Sequence, residues 1–138
     1  MDEFAFATNI AGKIKTYDRD DLRFQITAGD PGRYAAAGMT PDVVIRPNTE
    51  DELDVESTFA YTFAYRHFWD ETLRSNIYYG AATTDILERD RAHWAVNLLT
   101  DIEKNFTVGV EFGNYSINDE NAEDVDSNYL QFSAVYKF

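Results

Sequence analysis

Apolar and polar residues alternate one for one along most of this chain, and that period of two constrains its fold more than any other feature. In the last segment Leu130, Phe132, Ala134, Tyr136 and Phe138 fall on one face of an extended strand. Tyr129, Gln131, Ser133, Val135 and Lys137 fall on the other. The same pattern marks six earlier segments, so the chain reads as one partial β domain over 1–138 with strands at about 4–17, 22–29, 56–68, 72–83, 92–103, 105–117 and 127–138. Glycines at 80, 109 and 113 and the many β-branched residues weaken a helical reading. Strands of roughly 8–14 residues exceed the usual ~5–6 and suit a tilted strand that crosses a membrane. Short connections at 18–21, 69–71 and 104–105 alternate with longer ones at 30–56, 85–91 and 118–126. The expectation is an all-β fold, an antiparallel transmembrane β-barrel with short turns on one rim and longer loops on the other.

Composition narrows the function. With 12 Lys+Arg against 25 Asp+Glu, the net charge of −13 argues against nucleic-acid binding. The absence of Cys excludes disulfides, thiolate metal sites and a Cys nucleophile. Two histidines, His67 and His93, leave little for a metal centre or a triad. No apolar run approaches the ~20 residues of a membrane helix, and Met1-Asp2-Glu3-Phe4 lacks the basic and apolar character of a signal peptide. A barrel in the bacterial outer membrane needs such a signal, which is therefore expected upstream. The aromatic content of 15% finds its place on the apolar faces, as Phe59, Tyr61, Phe63, Tyr65, Tyr79, Trp94, Phe106, Phe112 and Phe132.

The opposite face carries small residues, among them Ala60, Ala64, Gly80, Ala82, Ala95, Gly109 and Gly113, which read as leaving room for water and solute. It also carries charge. Lys13, Lys15, Arg23, Arg66, Arg74 and Lys137 share it toward the short-turn rim, with Asp101, Glu103 and Glu111 as acidic counterparts. Rows of Lys and Arg on a low-dielectric wall favour anions; the plainer alternative is that they pair with the carboxylates and stiffen the wall. Arg33, after the Gly29-Asp30-Pro31-Gly32 turn, is a further candidate for the permeation path. The pore-lining candidates are thus Lys13, Lys15, Arg23, Arg33, Arg66, Arg74, Glu111 and Lys137. The acidic loop with Asp119, Glu120, Asn121 and Asp126 lacks the turn glycine of a calcium loop, so no metal and no cofactor is expected. Asp101 and Glu111 have the residue types of a glycosidase pair, but no second feature supports catalysis, and the chain is not expected to be an enzyme. Two other functions stay open: a small non-conducting structural barrel in the outer membrane, and a soluble β-barrel binding protein.

The stretch Ala11-Gly12-Lys13 through Asp20-Asp21-Leu22-Arg23-Phe24-Gln25 to Gly29-Asp30-Pro31-Gly32-Arg33-Tyr34, with the closing strand ending on Phe138, resembles the C-terminal part of a trimeric outer-membrane porin. More narrowly, it resembles the DcaP-like porins of Gram-negative bacteria. The resemblance implies about seven C-terminal strands of a larger barrel of about sixteen. It implies passive diffusion of small, hydrophilic, anionic organic solutes, outer-membrane lipid around the barrel, and a homotrimer. Tyr136 and Phe138 would then form the signal read by the barrel-assembly machinery.

Overall fold

Local turn chemistry sets the hairpins. In a computed structural model, which describes residues 4–30, 43–45, 53–119 and 123–138, β1 (Ala7–Lys15) turns into β2 (Asp21–Gly29) through Asp18 at a positive φ of 50°. Asp and Asn tolerate this left-handed region better than other side chains, and the Asp20 N–H closes the turn on Tyr17 O at 2.8 Å. Between β5 (Thr58–Phe68) and β6 (Leu73–Thr84), Asp70 Oδ1 accepts the backbone N–H groups of Thr72 (2.7 Å) and Leu73 (2.8 Å). β7 (Arg89–Glu103), β8 (Phe106–Asp119) and β9 (Val125–Tyr136) follow. Two short strands, β3 (Val43–Ile45) and β4 (Leu53–Val55), pair with each other as a separate antiparallel ribbon.

The main sheet has seven strands in the order β1-β2-β5-β6-β7-β8-β9, every neighbouring pair antiparallel, and it is not closed. The all-β, antiparallel expectation therefore holds. The regular alternation of connection length does not. The β6–β7 connection spans only 85–88, matching the 69–72 turn on the other rim, because β7 begins at Arg89 and zips further against β8. Arg91 and Asp119 bond across that extension, and the Arg89 N–H caps on Thr84 Oγ1 at 3.1 Å. Buried Glu56 holds the same connection by accepting the N–H groups of Ile86 (2.9 Å) and Leu87 (3.3 Å). Only the 30–57 connection is long, and the β3–β4 ribbon lies inside it.

Burial is inverted relative to a water-soluble domain. Among the described residues Ala95 is the only buried hydrophobic side chain, while Asp20, Asp21, Thr27, Glu56, Thr58, Thr84 and Asn114 are buried. The large apolar side chains form a belt across one face: Ile10, Ile14, Phe59, Phe63, Ile77, Tyr79, Trp94, Val96, Leu98, Phe112, Leu130 and Phe132 are all exposed.

The belt crosses the hydrogen-bond ladder obliquely. On β5 it runs from Phe59 to Tyr65, on β9 from Leu130 to Tyr136. Tyr65, Ile77, Val96, Phe112 and Leu130 lie on one cross-strand row, so the belt's end on β5 is level with its beginning on β9. That is a six-residue displacement over four strand spacings. At about 3.4 Å per residue and about 4.8 Å per strand, the belt slopes about 45° across the rows. Where β8 and β9 pass beyond it, the same face turns polar, and Asn114 Nδ2 donates to Asn128 Oδ1 at 2.9 Å.

Candidate functional site: the polar face

Cross-strand register assembles the other face. Lys15, Asp21, Arg66, Asn76, Asn97, Glu111 and Gln131 form one continuous row across all seven strands. Of three polar groups on this face, the first and the third build on it.

The first group centres on Asp21, which is 1% exposed. Its Oδ2 accepts Arg66 Nε at 2.9 Å, its Oδ1 accepts Arg23 Nε at 2.7 Å, and Lys13 Nζ stands 3.8 Å away. Three cations thus converge on one carboxylate, with Lys15 its register partner on β1. The cluster carries a surplus of positive charge. A buried carboxylate needs this company, since an uncompensated charge out of water is costly.

The second group joins Arg74 of β6 to Asp101 of β7 through two contacts of Arg74 Nη1, 3.1 and 3.0 Å long. Thr107, the register partner of Asp101, donates from Oγ1 to Asp101 Oδ1 at 2.6 Å, beside a register shift between Asp101 and Glu103. Lys137 follows β9, with its backbone N–H on Asn105 O at 2.9 Å.

The third group is centred on Glu111. Its Oε1 accepts Tyr78 Oη (3.0 Å) and Tyr129 Oη (2.8 Å), and its Oε2 accepts Asn97 Nδ2 (3.0 Å). Asn76 Nδ2 donates to Asn97 Oδ1 at 2.7 Å, and His93 Nε2 lies 2.8 Å from Tyr129 Oη. The His93 ring stacks on Tyr115, with centroids 3.9 Å apart and planes 11° apart. This network spans β6 to β9 and braces them as a unit.

The candidate set therefore divides. Lys13, Arg23 and Arg66 come together and Lys15 stands beside them; Arg74 belongs to a separate pair, and Glu111 to a network of its own. Arg33 lies outside the described residues. Tyr136 and Phe138 are exposed, their rings edge-on at 5.4 Å. Sequence reasoning missed the partners Asp21, Tyr78, His93, Asn97, Tyr115 and Tyr129. Pairing outward from the Lys104-Asn105 turn alone sets His93 opposite Ser116 and Asn97 opposite Phe112; the register shift between Asp101 and Glu103 moves them to Tyr115 and Glu111.

The small residues also need correction. Gly113 does not leave open space: a β-carbon there would stand 2.6 Å from ring atoms of Tyr129, which lies over it. Gly109 is likewise covered, by Leu99. Ala60, Gly80 and Ala82 do leave a shallow depression of about 200 Å³, edged by Thr62, Tyr78, Arg91 and His93.

Among the described residues no three His, Cys, Asp or Glu side chains gather as a metal site. No protein-family model matches the chain, and no curated protein and no solved structure matches it.

Proposed function

We propose that this chain is part of the wall of an outer-membrane porin, a passive channel that favours small anionic organic solutes. The oblique apolar belt carries this reading. In a membrane barrel the strands tilt by roughly 35–45°, so an apolar band level with the bilayer must cut across the ladder at that angle. The observed slope of about 45° is what such a tilt requires, and a soluble sheet has no reason to produce it. The inverted burial supports the same reading, because lipid would cover the belt. Solute would then meet the polar face, where Lys13, Arg23 and Arg66 outnumber Asp21. The resemblance to DcaP-like porins adds a trimer and recognition of Tyr136 and Phe138 by the assembly machinery to the proposal.

A non-conducting structural barrel is the second reading. The lateral bonding of the Glu111 network and the covered glycines at 109 and 113 favour it. Reversal potentials across a planar bilayer under a KCl gradient separate the two. A conducting, anion-selective pore is expected, with Lys13→Glu and Arg23→Glu moving it toward cations. Absence of conductance rejects the channel, and an unchanged permeability ratio rejects the role of the cations.

A further inference from the structure

The depression over β5, β6 and β7 lies apart from the Asp21 cluster and the Arg74–Asp101 pair. Its floor is Ala60 and its register partner Ala82, with Gly80 two residues away on β6, opposite Thr62. The Thr62 hydroxyl stands 3.2 Å from where a β-carbon on Gly80 would be, so the floor exists because that position has no side chain. At about 30 Å³ per water, the volume displaces roughly seven waters, the size of one sugar-like ring.

The rim offers specific chemistry. Tyr129 has a single hydroxyl hydrogen, and it goes to Glu111 Oε1. The 2.8 Å contact with His93 Nε2 must therefore use a hydrogen on the histidine. A neutral imidazole protonated at Nε2 keeps a bare lone pair at Nδ1, and that atom has no partner among the described residues. The lining thus includes a histidine with an acceptor to spare and a Thr62 hydroxyl that can donate or accept, with the Tyr78 ring beside them. Its one cation, Arg91, has a side chain only 13% exposed and both Nη atoms on Asp119, an acid it shares with Arg89. With both Nη atoms already on Asp119, Arg91 offers a carboxylate little, and the imidazole acceptor offers it nothing.

We infer that this depression is a recognition site for small uncharged molecules bearing several hydroxyls, of the sugar or polyol class. It rests on the porin reading only in taking the polar face as the one that solutes reach. Such a site would hold neutral solutes away from the cationic cluster at Asp21, on a different part of the same face.

Saturation-transfer NMR on the full chain in detergent micelles tests this, with methyl β-D-glucopyranoside as probe. Glucuronate and glucosamine serve as the anionic and cationic analogues. The glucoside is expected to saturate at a concentration at least tenfold below either analogue. Ala82→Leu and Gly80→Val, which fill the floor, are expected to raise its half-saturation at least tenfold, with strand content checked by circular dichroism. Tighter binding of either charged analogue overturns the assignment. So does unchanged glucoside binding in both filled variants. Should neither variant fold, the ranking of the three solutes on the unaltered chain decides. Binding in micelles needs no conduction: a conducting chain that ignores the glucoside defeats this inference alone, and a binding chain that does not conduct defeats the porin reading alone.

Discussion

Arg66 of β5 reaches across to Asp21 of β2 and binds Oδ2 through Nε at 2.9 Å, while Arg23 of Asp21's own strand binds the other oxygen. The two arginines are not equivalent. Arg66 ties two strands together and has a side chain 28% exposed; that of Arg23 is 50% exposed and joins residues of one strand. Arg66→Ala is expected to lower unfolding free energy by about 1.5–3 kcal/mol, as for a charge-assisted bond to a buried group. Arg23→Ala should cost less than about 1 kcal/mol, as for a largely solvated pair. Urea unfolding in micelles of both variants checks the order, and equal losses would contradict it.

The surplus cations should act on solutes through a screened field. Anion selectivity measured in 0.1 M KCl is expected to fall toward unity in 1 M KCl, as the Debye length shortens from about 10 to about 3 Å. Selectivity that does not respond to salt would point to a steric filter instead.

Row-mates on the belt face should differ in their tolerance of charge. Phe63, Tyr79, Trp94, Asn114 and Asn128 share one row, yet the belt includes the first three and excludes the last two. Phe63→Arg is expected to destabilise the chain in lipid vesicles by about 2–4 kcal/mol and Asn128→Arg by less than about 1. Equal costs along the row would mean that the belt is not set by a bilayer.

The ring of Tyr129 over Gly113 predicts a coupled pair. Gly113→Ala should displace that ring from Glu111 and His93, at about 1–3 kcal/mol. In a Tyr129→Ala background the same substitution should cost almost nothing. A double-mutant cycle reads the difference, and additive effects would remove the contact as the cause.

Two turn aspartates set a pH limit. The His67 ring at 2.6 Å and the Phe68 N–H at 2.8 Å hold the carboxyl of Asp20 below its ordinary value of 3.8. The Thr72 and Leu73 N–H groups do the same for Asp70. A carboxyl whose folded value is depressed binds fewer protons folded than unfolded, so both add stability that is complete above the ordinary value. That contribution drains away as pH falls below about 4 toward the depressed values. Unfolding followed from pH 6 to pH 2 should show the loss begin there, and Asp20→Asn should flatten the curve.

Alternation exposed the seven strands and sorted the faces, because a period of two depends only on the neighbouring residues. It could not align one strand with the next. Asp21 therefore read as part of a turn, although the register makes it the anchor of three cations. Glu111 was legible as an inward acid, but its partners Tyr78 and Tyr129 come from two other strands. Gly113 read as empty space because nothing local announces that a ring sixteen residues later will cover it. The β3–β4 ribbon escaped because each of its strands is only three residues long, too short to show a period.

Reversal at each of six boundaries leaves β1 and β9 pointing the same way along the sheet. A cylinder joined from it by antiparallel seams alone must take in an odd number of further strands. Two copies that share one orientation would therefore meet along two parallel seams, whereas antiparallel seams would demand that one copy stand inverted against the other.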